Sequence, residues 1–371
     1  MDISNQRPIS KLNSFSKIYE IIIHKSIQRH MTPLISNDQH GFMPGRSVVT
    51  NLMYFTHQVS EALDQGQQVH CVYTDFEKAF DRVNHDVLLQ KLRYYGFSTK
   101  LLKLIISFLK NRKLRVSYRG YLSYEFISTS GVPQGGNVGP DFYLIVINMI
   151  VFIVNNSYRK LFADDFKFYK IIYKTEDCIS LQHDIDAVVR WSQENKMSFN
   201  YSKCKYLIYH RNTKPIDFPY NMEGNAIERI TLIKDLGVWF DEALTFHHHY
   251  HKTVSSCYRS LGFIKRHSKF FSHETVKLLF IMLVRSKLEY GSLIWSPYQT
   301  KYISTFETVQ HKFLRFLYYK KFGCSAPAFQ TTTLLLEALQ MTRLSTRRLS
   351  AKVIFLYQVI NGSIKDPDIL N

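Results

Sequence analysis

The chain has 371 residues, enough for two or three domains, and its 45% apolar and 15% aromatic content excludes a disordered protein. Its 48 Lys and Arg against 30 Asp and Glu leave a net charge of +18. Two-thirds of that excess lies in residues 251–350, where 16 basic residues accompany 4 acidic ones. This charge favours an acidic partner, nucleic acid ahead of a membrane surface.

The cysteines and the apolar runs predict the surroundings of the protein. The five cysteines are scattered and form no CxxC pair, which is typical of reduced thiols inside a cell and excludes a zinc site or a disulfide framework. The N-terminus has no signal-peptide core, and the apolar run 142–154 is shorter than the roughly 20 residues that a membrane span needs. We therefore expect no membrane partner and a buried helix over 142–154.

The first half of the chain alternates helices with short strands. Periodic isoleucines predict a helix over 16–30, and a loop rich in Gly and Pro (39–52) leads into a second helix that ends near Asp64. The remaining predictions here are a central strand over 69–76, helices over 86–95 and from Ser98 onward, and a hairpin around Arg119 and Gly120.

The second half begins mixed and becomes helical. A hairpin is expected at FADDFKFY, followed by a helix over 181–195 and strands over 206–210 and 235–241. The later predictions are helices over 252–266, 273–290 and 302–319, and a tail from 330 that is helical at first.

Two acidic segments, VYTDFEKAFD (72–81) and LFADDFKFY (161–169), suggest the chemistry. Asp75 ends a buried strand, and Asp164 and Asp165 occupy a hairpin tip, so the three carboxylates can converge. Carboxylates that converge repel one another unless a cation neutralises them, and oxygen ligands suit Mg²⁺. Two such ions support nucleotidyl transfer. The alternative is that each aspartate caps a turn.

Seven segments carry a family resemblance: RPISKL, QHGFMPGRS, YTDFEKAFD, SGVPQGG, FADD, NYSKCK and DLGVWFD. In this order they resemble reverse transcriptases of non-LTR retrotransposons of the jockey type, from about Arg7 to about Phe322. The resemblance implies an α+β right-hand polymerase fold, with an antiparallel palm sheet, partial fingers and a helical thumb. The implied domains are partial fingers (1–68), palm (69–249, with finger-side helices and a hairpin at 86–130), basic thumb (250–325) and a C-terminal helical extension (326–371).

The resemblance also implies roles for residues of the catalytic centre. Asp75, the Phe76 carbonyl, Asp164 and Asp165 would bind Mg²⁺, and Lys203 would be the general acid for the leaving pyrophosphate. Phe80 would exclude the 2′-hydroxyl of ribonucleotides. The alternatives are a core phenylalanine and a surface lysine.

Further residues would bind the nucleotide and the nucleic acid. Arg7 would hold the triphosphate, and Gln134 and Gly135 would support template and incoming base. The thumb residues expected to contact phosphates are Lys252, Arg259, Lys265 and Arg266. The sequence departs from the family at Gly136, Asp141 and Met149. The histidines in HHHYH (247–251) could bind a transition metal, although we favour a solvated helix start.

The resemblance implies RNA-directed DNA polymerisation with an RNA template, a DNA primer and deoxynucleoside triphosphates, at a nuclear site of action. The family places several dozen residues before Arg7, so the fingers are expected to be incomplete. Two alternatives stay open. One is a decayed retrotransposon remnant that binds nucleic acid without polymerising, and the other is an intron maturase.

Overall fold

The structure is a computed structural model that describes residues 9–211, 214–327, 331–366 and 369. The chain forms two compact units. The first comprises the chain up to Asn51 together with Gln58–Thr231, and the second comprises Leu52–His57 and the chain from Leu232 onward. The predicted division into fingers, palm, thumb and extension is a functional one and stays a prediction.

Helices are the predominant secondary structure of the described residues. They are α1 Ser14–Met31, α2 Val48–Asp64, α3 His85–Tyr94, α4 Thr99–Leu109, α5 Val138–Ile147, α6 Thr175–Glu194, α7 His247–His267, α8 His273–Phe280, α9 Ser286–Glu289, α10 Ser292–Trp295, α11 Thr300–Phe322, α12 Thr332–Ala338 and α13 Leu344–Ile360. The strands are β1 Gln68–Thr74, β2 Lys113–Leu114, β3 Ser117–Tyr118, β4 Tyr121–Leu122, β5 Phe126–Ile127, β6 Tyr158–Phe162, β7 Asp165–Ile172, β8 Lys205–Tyr209, β9 Asn221–Met222, β10 Asn225–Ala226, β11 Glu228–Ile230, β12 Leu232–Asp235 and β13 Val238–Asp241.

A five-stranded sheet in the order β11-β8-β1-β7-β6 is the centre of the first unit. Strand β1 pairs antiparallel with both β7 and β8, and all seven of its residues are buried. Its β-branched and aromatic residues suit such a position, because a strand covered on both faces has no solvent side. Strand β6 is also antiparallel to β7, and only the edge strand β11 is parallel to its neighbour β8. The α+β fold with a mainly antiparallel sheet is thus confirmed.

The apolar run predicted to be one buried helix over 142–154 is α-helical only to Ile147, and Phe152 near its end is exposed. Residues 142–147 belong to α5, which begins at Val138 and is buried except at Pro140. A 3-10 segment, Asn148–Phe152, follows it. The Asn148 amide donates to Leu34 O and to the Tyr95 hydroxyl, and its oxygen accepts from Ser36 N–H, so this polar residue has partners inside the core. Among the described residues no helix is both long and apolar enough to cross a membrane.

Two elements differ from the prediction. Residues 235–241 were expected to be one strand, but Leu236 and Gly237 have φ angles of 44° and 90° and turn the chain. The segment is therefore the second half of a hairpin, in which β13 pairs with β12. The helix expected over 273–290 is interrupted by a π-helical segment, Ile281–Arg285. The predicted hairpin at Arg119 and Gly120 is confirmed, with φ angles of 50° and 86°.

The second unit is built around α7, α8 and α11. The rings of Phe280 and Phe313 stack with their centroids 3.9 Å apart, and Val254, Leu261 and Ile264 on α7 are buried, as predicted. The solvated start expected for α7 is wrong at His249. This side chain is buried against Trp295, its Nδ1 accepts from Trp239 N–H at 3.2 Å, and burial lowers its pKa to about 4.

Candidate active site

The three aspartates lie at one end of the β1–β7 pair. Thr74, the last residue of β1, is the register partner of Phe166, and its hydroxyl donates to Phe166 O at 2.9 Å. Asp75 and Asp165 are the next residues along these two antiparallel strands, and Asp164 lies in the turn just before β7. Strand pairing therefore brings positions 75, 164 and 165 together, as the sequence predicts.

Tyr143 on α5 experiences the field of all three carboxylates. Burial raises the pKa of its phenol well above the ordinary value, and Asp164, Asp165 and Asp75 raise it further. Its hydroxyl has no hydrogen-bond partner among the described residues. A buried, neutral tyrosine thus lies under the acidic end of the sheet, and its hydroxyl is available to donate.

The turn that carries Asp164 is held by a buried glutamine. The Gln39 Oε1 accepts from Ala163 N–H at 2.9 Å and from Gly41 N–H at 2.8 Å. A Cβ at Gly41 would approach Ala163 N to 2.3 Å, so only glycine permits this contact. The peptide groups around Gln39 also bond to Leu161, where His40 N–H donates to Leu161 O and Leu161 N–H to Asp38 O, both at 2.9 Å.

Charged side chains hold the backbone of residues 36–39 in place. The guanidinium of Arg46 donates to three backbone carbonyls, those of Ser36, Asn37 and Gln39, at 2.7–3.1 Å. Asp38 forms ion pairs with Arg159 at 3.0 Å and with the fully buried Lys160 at 3.3 Å. The QHGFMPGRS segment therefore supports the turn that carries Asp164 and is more than a connecting loop.

Lys203 lies beside the first aspartate. Its Nζ is 3.5 Å from Asp75 Oδ2, and both side chains are partly exposed. The backbone holds the two segments together, because Asn200 N–H donates to Asp75 O at 2.8 Å and the rings of Phe76 and Phe199 stack at 4.3 Å. The NYSKCK and YTDFEKAFD motifs are thus neighbours, which places Lys203 beside the Asp75 carboxylate.

Phe80 is half-buried between two other rings. It stacks on Tyr143 with centroids 4.6 Å apart, and Phe42 meets it edge-on at 6.3 Å. Its carbonyl accepts from Val132 N–H at 2.9 Å, which ties it to the VPQGG loop. A ring held in this way presents a fixed edge rather than a mobile one.

Gln134 and Gly135 form the turn of the VPQGG loop. Gln134 Nε2 donates to Asp81 Oδ1 at 2.7 Å, which makes Asp81 a structural hydrogen-bond acceptor. Gly135 has a φ of 94°, in the region that favours glycine, and Ser10 N–H donates to Gln134 O at 2.8 Å. The loop is therefore shaped by the segment that carries Phe80 and Asp81.

Helix α1 explains two of the departures from the family pattern. A Cβ at Gly136 would lie 2.4 Å from the buried Glu20 carboxylate, which accepts from Asn137 N–H at 2.7 Å, so a larger residue would displace this carboxylate. The carboxylate of Asp141 forms a hydrogen bond with Nδ1 of His24, on α1, at 2.5 Å. Burial raises the pKa of Asp141 to about 6, and His24 opposes this rise. Nothing in the structure explains Met149.

The carboxylates fit a hard divalent cation by chemistry, since all three offer oxygen and remain at least partly accessible. Across the described ranges, however, no group of three or more His, Cys, Asp and Glu side chains is arranged to hold a metal ion. The Asp75 side chain faces Lys203.

The remaining predicted residues lie elsewhere or outside the description. Arg7 falls outside the described residues. Lys252, Arg259, Lys265 and Arg266 are exposed on α7, and the Lys265 Nζ lies 5.4 Å from the Phe316 ring. Three of them, Lys252, Arg259 and Arg266, are spaced by seven residues and so share one face of the helix.

Comparison with known proteins gives one clear family. A profile of the family described as reverse transcriptase (RNA-dependent DNA polymerase) matches residues 2–270. The chain is 26% identical over 334 residues to a probable RNA-directed DNA polymerase from transposon BS of Drosophila melanogaster, covering 83% of this chain and 36% of that protein. It is 29% identical over 264 residues to an RNA-directed DNA polymerase from mobile element jockey of Drosophila funebris, covering 67% and 28%. Among solved structures, apo telomerase from Candida tropicalis covers 86% of this chain and 54% of its own at 11% identity, with a TM-score of 0.46.

Proposed function

Because the chain belongs to the reverse transcriptase family, we propose that it catalyses RNA-directed DNA polymerisation for a non-LTR retrotransposon. The chain spans about a third of the length of the curated relatives it matches. The observation that carries the proposal is the meeting of Asp75, Asp164 and Asp165 at one end of the β1–β7 pair, above Tyr143.

The carboxylates would hold the divalent ions on which this family generally depends, and we propose Mg²⁺. When bound, Mg²⁺ neutralises the carboxylates and stabilises charge on phosphate oxygens. Asp75, Asp164 and the Phe76 carbonyl would hold it, with Asp165 contributing less directly. Lys203, 3.5 Å from Asp75, would give its proton to the departing pyrophosphate.

Other residues would orient the deoxynucleotide. Phe80 would place its ring where a 2′-hydroxyl would clash, and its stacking on Tyr143 supports a fixed position. Gln134 and Gly135 would support template and incoming base, through a loop that Asp81 holds. Arg7 would bind the triphosphate.

We also propose that the second unit contains the basic thumb, with the other predicted domains as assigned above. The thumb would bind an RNA template and a DNA primer in the nucleus. Lys252, Arg259, Lys265 and Arg266 would contact their phosphates.

The salt dependence of binding tests the thumb. Replacing Lys252, Arg259 and Arg266 by Gln should reduce the slope of the logarithm of the binding constant against the logarithm of the salt concentration by about 2–3 for a template–primer duplex. Lys100→Gln with Lys174→Gln, both exposed in the first unit, serves as the control. An unchanged slope would overturn the thumb assignment.

Primer extension on an RNA template with Mg²⁺ tests the activity. Asp164→Asn should abolish extension, while Asp86→Asn, which alters an exposed aspartate paired with Lys110, should leave it intact. Extension that survives in Asp164→Asn would refute the assignment. Absence of extension in the parent, with template–primer binding retained, would favour the second candidate function, nucleic-acid binding without polymerisation.

A further inference from the structure

A hairpin of the first unit exposes an aromatic surface that the catalytic centre does not use. We define the aromatic hairpin as residues 113–127, which contain strands β2–β5. Its tyrosines Tyr118, Tyr121 and Tyr124 are 53%, 82% and 96% exposed. Exposed side chains this large and this close together are uncommon on a protein surface without a binding role. The other exposed apolar residues of the hairpin are Val116, Leu122, Phe126 and Ile127.

The charges around these rings are almost all positive. Residues 110–127 contain five Lys and Arg and a single acidic residue, Glu125, which pairs with Lys113 at 3.1 Å and Arg115 at 3.5 Å. The guanidinium of Arg119 lies 5.3 Å from the centre of the Tyr118 ring. Aromatic rings interleaved with cations match the bases and phosphates of a nucleic acid, whereas an apolar protein partner would leave the cations unpaired.

The strand register arranges two of the rings side by side. Tyr118 and Tyr121 are register partners in the β3–β4 pair, so their side chains leave the same face of the hairpin. The turn between them, Arg119 and Gly120, is tight. The tip therefore carries two neighbouring rings and a guanidinium, which suits stacking against unpaired bases.

The base of the hairpin is joined to the proposed nucleotide site. Ser128 N–H donates to Arg112 O at 2.9 Å and closes the base. The chain then runs through Ser130, whose hydroxyl donates to Asp81 O at 3.1 Å, to Val132, whose N–H donates to Phe80 O. The tip at Gly120 is eight residues from Ser128, a reach of up to about 25 Å for an extended chain.

We propose that the aromatic hairpin binds single-stranded nucleic acid, namely the unpaired template next to the catalytic centre. The proposal rests on the polymerase function in calling that strand a template. The tyrosine rings stack on successive bases, while Arg115 and Arg119 contact phosphates. Duplex nucleic acid binds this surface more weakly than a single strand does, because its bases are already stacked on each other.

Fluorescence anisotropy with a labelled single-stranded RNA oligonucleotide and the full chain tests the proposal. The triple variant Tyr118→Ala, Tyr121→Ala, Tyr124→Ala should bind at least about 100-fold more weakly with an unchanged salt slope, because stacking is lost and phosphate contacts are kept. The pair Arg115→Gln, Arg119→Gln should instead reduce the salt slope by about 1.4. Tyr121→Phe, which keeps the ring, should bind as the parent does.

Tyr173→Ala is the matched control, because Tyr173 is an exposed tyrosine at the far end of β7. It should leave binding unchanged, and thermal unfolding should show that all variants fold. Parent-like affinity of the triple tyrosine variant for single-stranded RNA overturns the proposal. An equal loss of affinity for a fully paired duplex also overturns it, because stacking on unpaired bases would then not be the cause.

The same titrations in the Asp164→Asn background separate this proposal from the polymerase function. Hairpin-dependent binding that persists there supports the surface whatever the result of primer extension. Extension that depends on Asp164, together with hairpin variants that bind RNA as tightly as the parent, would leave the function in place and remove the hairpin from it.

Discussion

The side-chain oxygen of Gln39 accepts a hydrogen bond from the backbone N–H of Ala163, the residue that immediately precedes Asp164. Gln39→Leu should therefore leave the N–H groups of Ala163 and Gly41 buried without an acceptor. We expect the free energy of unfolding to fall by about 2 kcal/mol or more, measured by urea denaturation. Primer extension per folded molecule should also fall, by about tenfold or more, because the turn that carries Asp164 loses its support.

Gln58→Leu is the matched control for this prediction. The side-chain oxygen of Gln58, on α2, accepts a hydrogen bond from the Tyr169 hydroxyl at 2.9 Å. Tyr169 lies on strand β7, away from the turn that carries Asp164. This variant should lose some stability, about 1 kcal/mol, and keep its activity. If Gln39→Leu lowered stability alone, Gln39 would support the fold and not the position of Asp164.

The difference between Asp164 and Gln39 shows what the sequence could predict. The aspartates follow from local patterns, a buried strand that ends in Asp75 and a turn that carries Asp164 and Asp165. Gln39 lies in QHGFMPGRS, one of the segments that resemble the family, but its role depends on Ala163, 124 residues away. No local periodicity in the sequence encodes that contact. The presence of QHGF and FADD in one chain was the available signal.

The same reasoning applies to Tyr143 and to Glu20. The sequence predicts that α5 is buried. Only the packed structure shows that Tyr143 stacks on Phe80 and that the three carboxylates raise the pKa of its phenol. Glu20 was one polar residue on a helix with an isoleucine pattern. Its contact with Asn137 depends on the packing of α1 against α5, which the sequence does not specify locally.

Phe80→Val tests the selection of the sugar. A smaller side chain should admit the 2′-hydroxyl, so the preference for deoxynucleotides over ribonucleotides should fall by about tenfold or more. The measurement is single-nucleotide incorporation with each substrate, compared as ratios of kcat/KM. Tyr143→Phe retains the ring beneath Phe80 and should keep the parent's ratio. An unaltered ratio in Phe80→Val would mean that this ring does not contact the sugar.

Gly136→Ala tests the fit between the VPQGG loop and helix α1. The added Cβ would collide with the Glu20 carboxylate, so the free energy of unfolding should fall by about 1–3 kcal/mol. In a Glu20→Ala background Gly136→Ala should lower the free energy of unfolding by less, and a double-mutant cycle measures the difference. Gly262→Ala, within α7 and with its nearest neighbour atom at 3.5 Å, should instead stabilise by about 0.5–1 kcal/mol. Additive effects of the first two substitutions would contradict the contact.

His70 makes stability depend on pH. Burial lowers the pKa of this imidazole, on strand β1, from 6.5 to about 4. Between these values the unfolded chain binds a proton that the folded chain does not, so the free energy of unfolding falls as the pH falls from about 6.5 to 4. At pH 5 the loss from His70 should be about 2 kcal/mol.

Urea denaturation of His70→Gln at several pH values checks this effect. The variant should show a shallower loss of stability between pH 7 and 5 than the parent, while His183→Gln, at an exposed position, should follow the parent. Identical slopes in the parent and His70→Gln would show that this imidazole does not remain neutral in the fold.

The bridge between Gln39 and Leu161 has a consequence for association. It occupies the outer side of β6, one end of the central sheet. At the other end β11 is only three residues long, and its Arg229 pairs with Asp217 at 3.0 Å. Neither edge of the sheet offers a long, flat row of peptide groups to a foreign strand, so molecules of this protein have little tendency to associate by β-aggregation.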